Sequence, residues 1–177
     1  TGGWSLDEAD FAVILGLWQD QPAMDGFMAQ RHDALYEASG QRSLIQTTEV
    51  SVWRRVGLPG ARSPLVEVAG REGGYLRIAE ILLLPGRAEH LVEVQRTIWD
   101  PAMEAAGVLA GGLWESPDDD SRFLSISLWR SRESEREWRS RPFFDCWRRA
   151  GVEDDCEDVI GRLVSVDPDW RVDWSRS

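Results

Sequence analysis

The sequence predicts an α+β protein built from two fused ferredoxin-like repeats, each βαββαβ, that close one barrel within a single chain. Three observations carry this. The run Phe11-Ala12-Val13-Ile14-Leu15-Gly16-Leu17-Trp18 is echoed by Phe123-Leu124-Ser125-Ile126-Ser127-Leu128-Trp129. Each run ends in Trp and opens into a charged helical stretch that carries an aromatic, Phe27 in one copy and Trp138 in the other. Self-similarity of this kind fixes architecture before any local assignment. The second half then reads in the order β-α-β-β-α-β, the split pattern of a ferredoxin-like unit.

The elements of the second half follow in order. Residues 75–84 are an apolar run with β-branched content, stopped by Pro85-Gly86, and read as a buried strand. Leu91, Val94, Ile98 and Ala102 recur at helical spacing, so a helix spans about 87–106. Asp100-Pro101 should kink or break it, because proline lacks a backbone donor and clashes with the preceding turn. Gly111-Gly112-Leu113-Trp114 opens a second strand, and 116–120 form a polar turn. Residues 123–130 are the third strand. Ser131 or Ser134 caps a helix running to about Arg149. Residues 160–166 are the last strand.

The first half repeats this order from its second strand onward. Gly2-Gly3-Trp4 is a strand, and 11–18 is the third strand. Asp20-Gln21-Pro22 starts a helix that ends at Gly40, and 47–54 is the fourth strand. The boundaries that result are 1–56 for the first repeat, 57–74 for a Gly-, Pro- and Arg-rich linker, and 75–174 for the second repeat. The first repeat lacks its first strand and helix. That strand is central in a ferredoxin-like sheet, so the repeat logic leads us to expect further residues upstream of Thr1, or Leu65 to Val68 standing in as a short strand.

Composition narrows the function classes. The formal charge of -11 argues against nucleic acid or an anionic membrane as partner. All 20 basic residues are Arg, so no Lys is present for a Schiff base or phosphate clamp. No apolar run reaches a membrane span and no signal peptide is visible, so a cytoplasmic protein is expected. Cys146 and Cys156 form no CxxC pair. There is no P-loop, GxGxxG, GxSxG or HExxH, and neither metal nor cofactor is expected.

With the repeat on the page, the chain resembles the dimeric α+β barrel superfamily, which includes the antibiotic-biosynthesis monooxygenase-like proteins. Within it, Leu15-Gly16-Leu17-Trp18, Phe27-Met28, His32-Asp33 and Ser39-Gly40-Gln41 resemble the uncharacterised YdbC-like family. The resemblance implies the barrel that relatives build from two chains, here as a pseudo-dimer in one chain, with a homodimer also open. The superfamily includes cofactor-independent oxygenases, haem-degrading enzymes, isomerases and binding modules, so fold alone supplies no reaction. The Asn/Trp/His pattern of the haem-degrading branch is not evident.

Candidate site residues come from strand alternation. Leu124, Ile126 and Leu128 share one face of the third strand and are expected against the helices. Ser125, Ser127 and Trp129 share the other and are expected to line the barrel, with Trp18 as the counterpart of Trp129. Such a lining suits a small, flat aromatic ligand; the plain alternative is that the Trp residues only fill a core. His32 lies on the inward stripe of its helix with Met24, Phe27, Met28 and Leu35. It is placed to act as a general base, or to be a satisfied structural histidine. Adjacent helix positions diverge by about 100°, so Asp33 is not expected to orient it. Tyr75 and Arg77 share a face of the first strand, opposite Glu80; one charge must be buried or sit at a sheet end. Arg77 inside the barrel would hold an anionic or carbonyl group, and a buried ion pair is the alternative. His90 reads as surface. Glu135 with Arg139 and Glu137 with Arg141 read as solvent-exposed i,i+4 pairs.

Two function classes remain: a small-molecule site with oxygenase-like or isomerase-like chemistry on an aromatic substrate, and a non-catalytic binding or interaction module with a filled barrel.

Overall fold

The computed structural model describes residues 1–56, Leu65 and 74–170. The second half realises the expected order. Strand β4 (Tyr75–Leu83) ends at Pro85-Gly86, where Gly86 takes a left-handed φ of 79°. The helical stretch that follows is α3 (Ala88–Val94), a π turn (Gln95–Trp99) and α4 (Asp100–Ala105). Pro101 sits in the first turn of α4, and the π turn before it absorbs the missing donor, so the helix changes register instead of ending. Strands β5 (Ala110–Glu115) and β6 (Arg122–Trp129) form a hairpin.

Ser131 caps α5 (Arg132–Arg139), and its hydroxyl accepts from the Ser134 N–H at 3.1 Å. The expected single helix breaks at Ser140 and resumes as α6 (Arg141–Ala150), with Pro142 in its first turn. Strand β7 (Cys156–Val166) begins earlier than the expected 160.

These strands pair antiparallel in the order β7-β4-β6-β5, the ferredoxin-like order, and the sheet continues at both edges. Beyond β7 lie β1 (Gly2–Ser5) and then β2 (Ala12–Ile14); beyond β5 lies β3 (Arg54–Arg55). The first half thus keeps its strands in shortened form. Of the expected 11–18 only Ala12–Ile14 is extended and paired, and of 47–54 only the last residue joins β3. Leu65 is helical, which removes it from a substitute strand; residues 66–68 lie outside the described residues.

Two cores lie on opposite faces of this sheet. Trp129, Phe123, Leu113 and Leu83 pack with Leu91, Val94, Trp99, Met103, Trp138 and Cys146 of the helices. Leu76, Ile78, Leu124, Ile126, Leu128 and Val164 form the other core with Leu65. The alternation is as expected but the faces are reversed: the aliphatic residues of β6 line the inner side and Trp129 faces the helices. The reason is local. The Trp129 indole donates to the Ser127 hydroxyl at 3.0 Å, so its polar atom is satisfied within its own strand, and its ring stacks on Trp138 at 5.8 Å. Burying such a ring contributes on the order of 4–5 kcal/mol at 25 cal/mol per Å².

Gly16–Ser51 form a separate compact unit. Its helical stretch is α1 (Gln21–Phe27), a π turn (Met28–His32) and α2 (Asp33–Ala38). Asp20 caps it by accepting from the Ala23 N–H at 2.8 Å, and Gly40, at φ 66°, ends it in the left-handed region, as expected. None of its helical residues is buried.

Candidate functional site

Within Gly16–Ser51 the sequence builds an aromatic ladder. Trp18 lies over Gly16, whose Cβ, if present, would meet the indole Nε1 at 3.1 Å. Trp18 meets Phe27 at 5.0 Å, Phe27 meets His32 edge-on at 6.2 Å, and His32 stacks parallel to Tyr36 at 6.1 Å. The π turn explains this alignment. Phe27 and His32 stand five residues apart, the spacing that an i→i+5 turn brings onto one face, while His32 and Tyr36 are an ordinary i,i+4 pair.

His32 Nδ1 lies 2.9 Å from Asp33 Oδ1, contrary to the expectation from α-helical spacing. The wider π turn holds more residues per turn, so neighbouring side chains diverge less. The carboxylate favours the tautomer with the proton on Nδ1, which leaves the Nε2 lone pair free to accept one. The ring is 41 % exposed and Trp18 is 39 % exposed, so both are open to a ligand.

The other expected site residues lie elsewhere. Trp129 has no exposed surface, Ser127 is buried against it, and Ser125 and Tyr75 share their helix-facing side of the sheet. Arg77 is on that side too. Its guanidinium lies across β7 at Gly161, where a Cβ would come within 2.6 Å of Nη2, and reaches to 4.0 Å from Glu135. Glu135 is 2 % exposed, with Arg139 at 3.9 Å, and its Oε1 accepts no hydrogen bond among the described residues. Burial pushes the Glu135 carboxyl up, against the pull of Arg77 and Arg139, and burial likewise lowers Arg77. The ion-pair alternative for Arg77 is therefore the one realised. Glu135 is a correction: it is not on a solvated face. Arg141 pairs with Asp145 at 3.5 Å, not Glu137, because the helix breaks between them.

Glu80 takes the other outcome. It sits at an end of the inner face, 39 % exposed, bridging Arg122 at 3.4 Å and Arg162 at 3.7 Å. His90 is half exposed, and its Nδ1 contacts the buried Asp155, which also holds Arg87 Nε at 3.4 Å. An open groove of about 550 Å³ runs between α3 and the ends of β5 and β6, lined by Ala88, Val92, Phe123 and three glutamates, and contains none of the expected site residues. Among the described residues no group of three His, Cys, Asp or Glu could hold a metal, and no helix is long and apolar enough to cross a membrane.

Comparison with known proteins agrees with this architecture. Residues 74–150 match the antibiotic biosynthesis monooxygenase family, and residues 1–53 match a domain of unknown function, DUF4937. The uncharacterized protein YdbC of Bacillus subtilis is 39% identical over 54 residues, 29% of this chain and 45% of YdbC, so the match spans less than half of that relative. A putative monooxygenase from Lactobacillus acidophilus superposes with a TM-score of 0.64 at 8% identity, covering 92% of this chain and 73% of its own. One from Fusobacterium nucleatum gives 0.58 at 11%, covering 85% and 67%. At such identities the likeness is one of fold, and the fold is the α+β ferredoxin-like one. The chain thus carries an antibiotic biosynthesis monooxygenase domain over residues 74–150 and a DUF4937 domain over residues 1–53.

Proposed function

We propose that the chain binds a small, flat, apolar molecule on the aromatic ladder of residues 16–51, with Trp18 as the stacking wall and His32 as general base. The observation that carries this reading is the His32–Asp33 contact at 2.9 Å beside an open Trp18 ring. An imidazole held through Nδ1 presents Nε2 to an acidic C–H or O–H of a stacked ligand. The chemistry is cofactor-independent and monooxygenase-like or isomerase-like, beginning with proton abstraction. Arg77 is left to Glu135, and Trp129 to the core.

The test is titration with aromatic ligands, followed by Trp fluorescence in the native chain, Trp18→Phe and Trp129→Phe. The expected result is a saturable change that Trp18→Phe abolishes and Trp129→Phe preserves. A change that survives Trp18→Phe, or none at all, refutes the reading. The second reading, a non-catalytic interaction module, is favoured by one observation: Leu65 and the aliphatic residues of the inner face are packed on each other with Leu76 and Leu128 fully buried.

The repeat belongs to the same proposal. We read β1, β2, the helical stretch 21–38 and β3 as counterparts of β5, β6, α5–α6 and β7, giving a pseudo-dimer in one chain. Each copy brings its Trp onto the aromatic of the following helix, Trp18 on Phe27 at 5.0 Å and Trp129 on Trp138 at 5.8 Å.

A further inference from the structure

The seven-stranded sheet runs β2-β1-β7-β4-β6-β5-β3. In the complete copy the first strand, β4, sits between the fourth, β7, and the third, β6. On the repeat reading above, β2 is a third strand and β3 a fourth. The two ends of the sheet are then the two strands that a first strand separates.

We propose that one further antiparallel strand pairs with the outer edges of β2 and β3 and closes the sheet into an eight-stranded barrel. Its occupant is an extended polypeptide segment with the chemistry of β4. The edges carry the groups for this. Ser5 N donates to Phe11 O and Leu15 N to Thr1 O, so odd-numbered residues of this segment bond to β1. Ala12 and Ile14 therefore turn their N–H and C=O groups outward. Val56 N donates to Leu113 O, so Arg54 and Val56 bond to β5 and Arg55 turns outward. Among the described residues no strand pairs with either edge, and edge groups of this kind template strand addition.

Core continuity specifies the occupant. Val13 and Leu15 at one end of the sheet and Trp53 at the other pack against the same inner cluster of Leu76, Ile78, Leu124 and Ile126. Strands six places apart reach one core only if the sheet is rolled, so both edges border the same open stretch of it. A segment inserted there must offer aliphatic side chains inward on alternate positions. Strand β4 offers Leu76 and Ile78, which are 0% and 7% exposed. Ile14, on the opposite face, is 69% exposed, as expected of a residue whose covering element is absent.

The experiment adds a peptide with the sequence of residues 75–84, flanked by lysines for solubility, to the full chain. Amide hydrogen exchange is read residue by residue. The expected result is one peptide per chain, with exchange at Ala12, Ile14 and Arg55 slowed about tenfold or more and Val13 and Leu15, already bonded, unchanged. Ile14→Pro removes one outward donor without touching a β1–β2 bond and should abolish the protection; a peptide with its alternation scrambled should give none. Protection that is absent, or equal with the scrambled peptide, overturns the proposal. Protection of Ala12 and Ile14 that rises with protein concentration without peptide assigns the edge to a second copy and overturns the occupant. The repeat reading is checked separately by superposing the β1–β2 hairpin on the β5–β6 hairpin in an experimental structure. Hairpins that superpose without peptide protection refute the closing strand alone.

Discussion

Replacing Glu135 by Gln should stabilise the protein above neutral pH, although it breaks an ion pair. Arg77 at 4.0 Å and Arg139 at 3.9 Å each attract the carboxylate by about 4 kcal/mol at an effective dielectric of about 20. Against this stands the cost of removing a carboxylate from water, several kcal/mol even after relaxation. Glu135 is 2 % exposed, and its Oε1 has no hydrogen bond to offset that cost. Its carboxyl is pushed above the ordinary glutamate range, so desolvation outweighs both attractions. The sign follows from linkage. A group with a raised folded-state pKa contributes its stability below the unfolded-state value and loses it as pH rises through the folded-state value. Native stability should fall over that window, from about pH 4.3 upward, and the fall should be missing in Glu135→Gln. The amide keeps the shape, and Arg77, 23 % exposed, stays hydrated beside Gly161. Urea denaturation at pH 5 and pH 8 measures both. The expected gain at pH 8 is on the order of 1 kcal/mol, the worth of one pKa unit. A loss of about 3 kcal/mol or more at pH 8, the cost of breaking a buried pair that is net favourable, would refute the reasoning. So would an unchanged pH slope.

The repeat's two Trp residues should differ in energetic weight. Trp129→Ala, at a fully buried ring, should cost about 4 kcal/mol, and Trp18→Ala, 39 % exposed, about 2 kcal/mol or less, both read from denaturant midpoints; equal losses would contradict the burial contrast. Gly3→Ala would place a Cβ 1.9 Å from the Ser165 carbonyl oxygen, so it should release β1 from β7 and speed amide exchange at Trp4 and Val166. Gly40→Ala meets nothing within 4 Å, and at φ 66° should cost only about 1 kcal/mol. Asp33→Ala should move His32 away from the Nδ1–H tautomer, read by ¹⁵N chemical shifts of the ring; an unaltered tautomer would show that Asp33 does not orient it.

The second repeat was legible because its signals are local. Helical spacing in 91–102, Pro85-Gly86, the Ser131 cap and the alternation of β6 each specify structure within a few residues. The break at Ser140 was legible too, in Pro142, and the reading passed over it. What alternation does not carry is which face of a strand is covered. The aliphatic triplet of β6 and its Ser-Trp partner face are both burial-competent, because Ser127 satisfies the one polar atom that Trp129 brings. The choice between them lies in the helices, where Trp99, Trp138, Phe143 and Trp147 supply an aromatic surface that receives Trp129. The short strands β2 and β3 were overextended for the same reason. Their sequences have strand character over six to eight residues, but a strand persists only where a neighbour accepts its hydrogen bonds, and each has one neighbour among the described residues. His32 shows the limit most sharply. Its partner Tyr36 is legible at i,i+4, whereas Phe27 at i−5 and Asp33 at i+1 depend on a π turn that no spacing rule anticipates. The part of the site that sequence missed is thus the part made by a change of helical pitch, and π turns of this kind recur where a helix serves a function beyond packing.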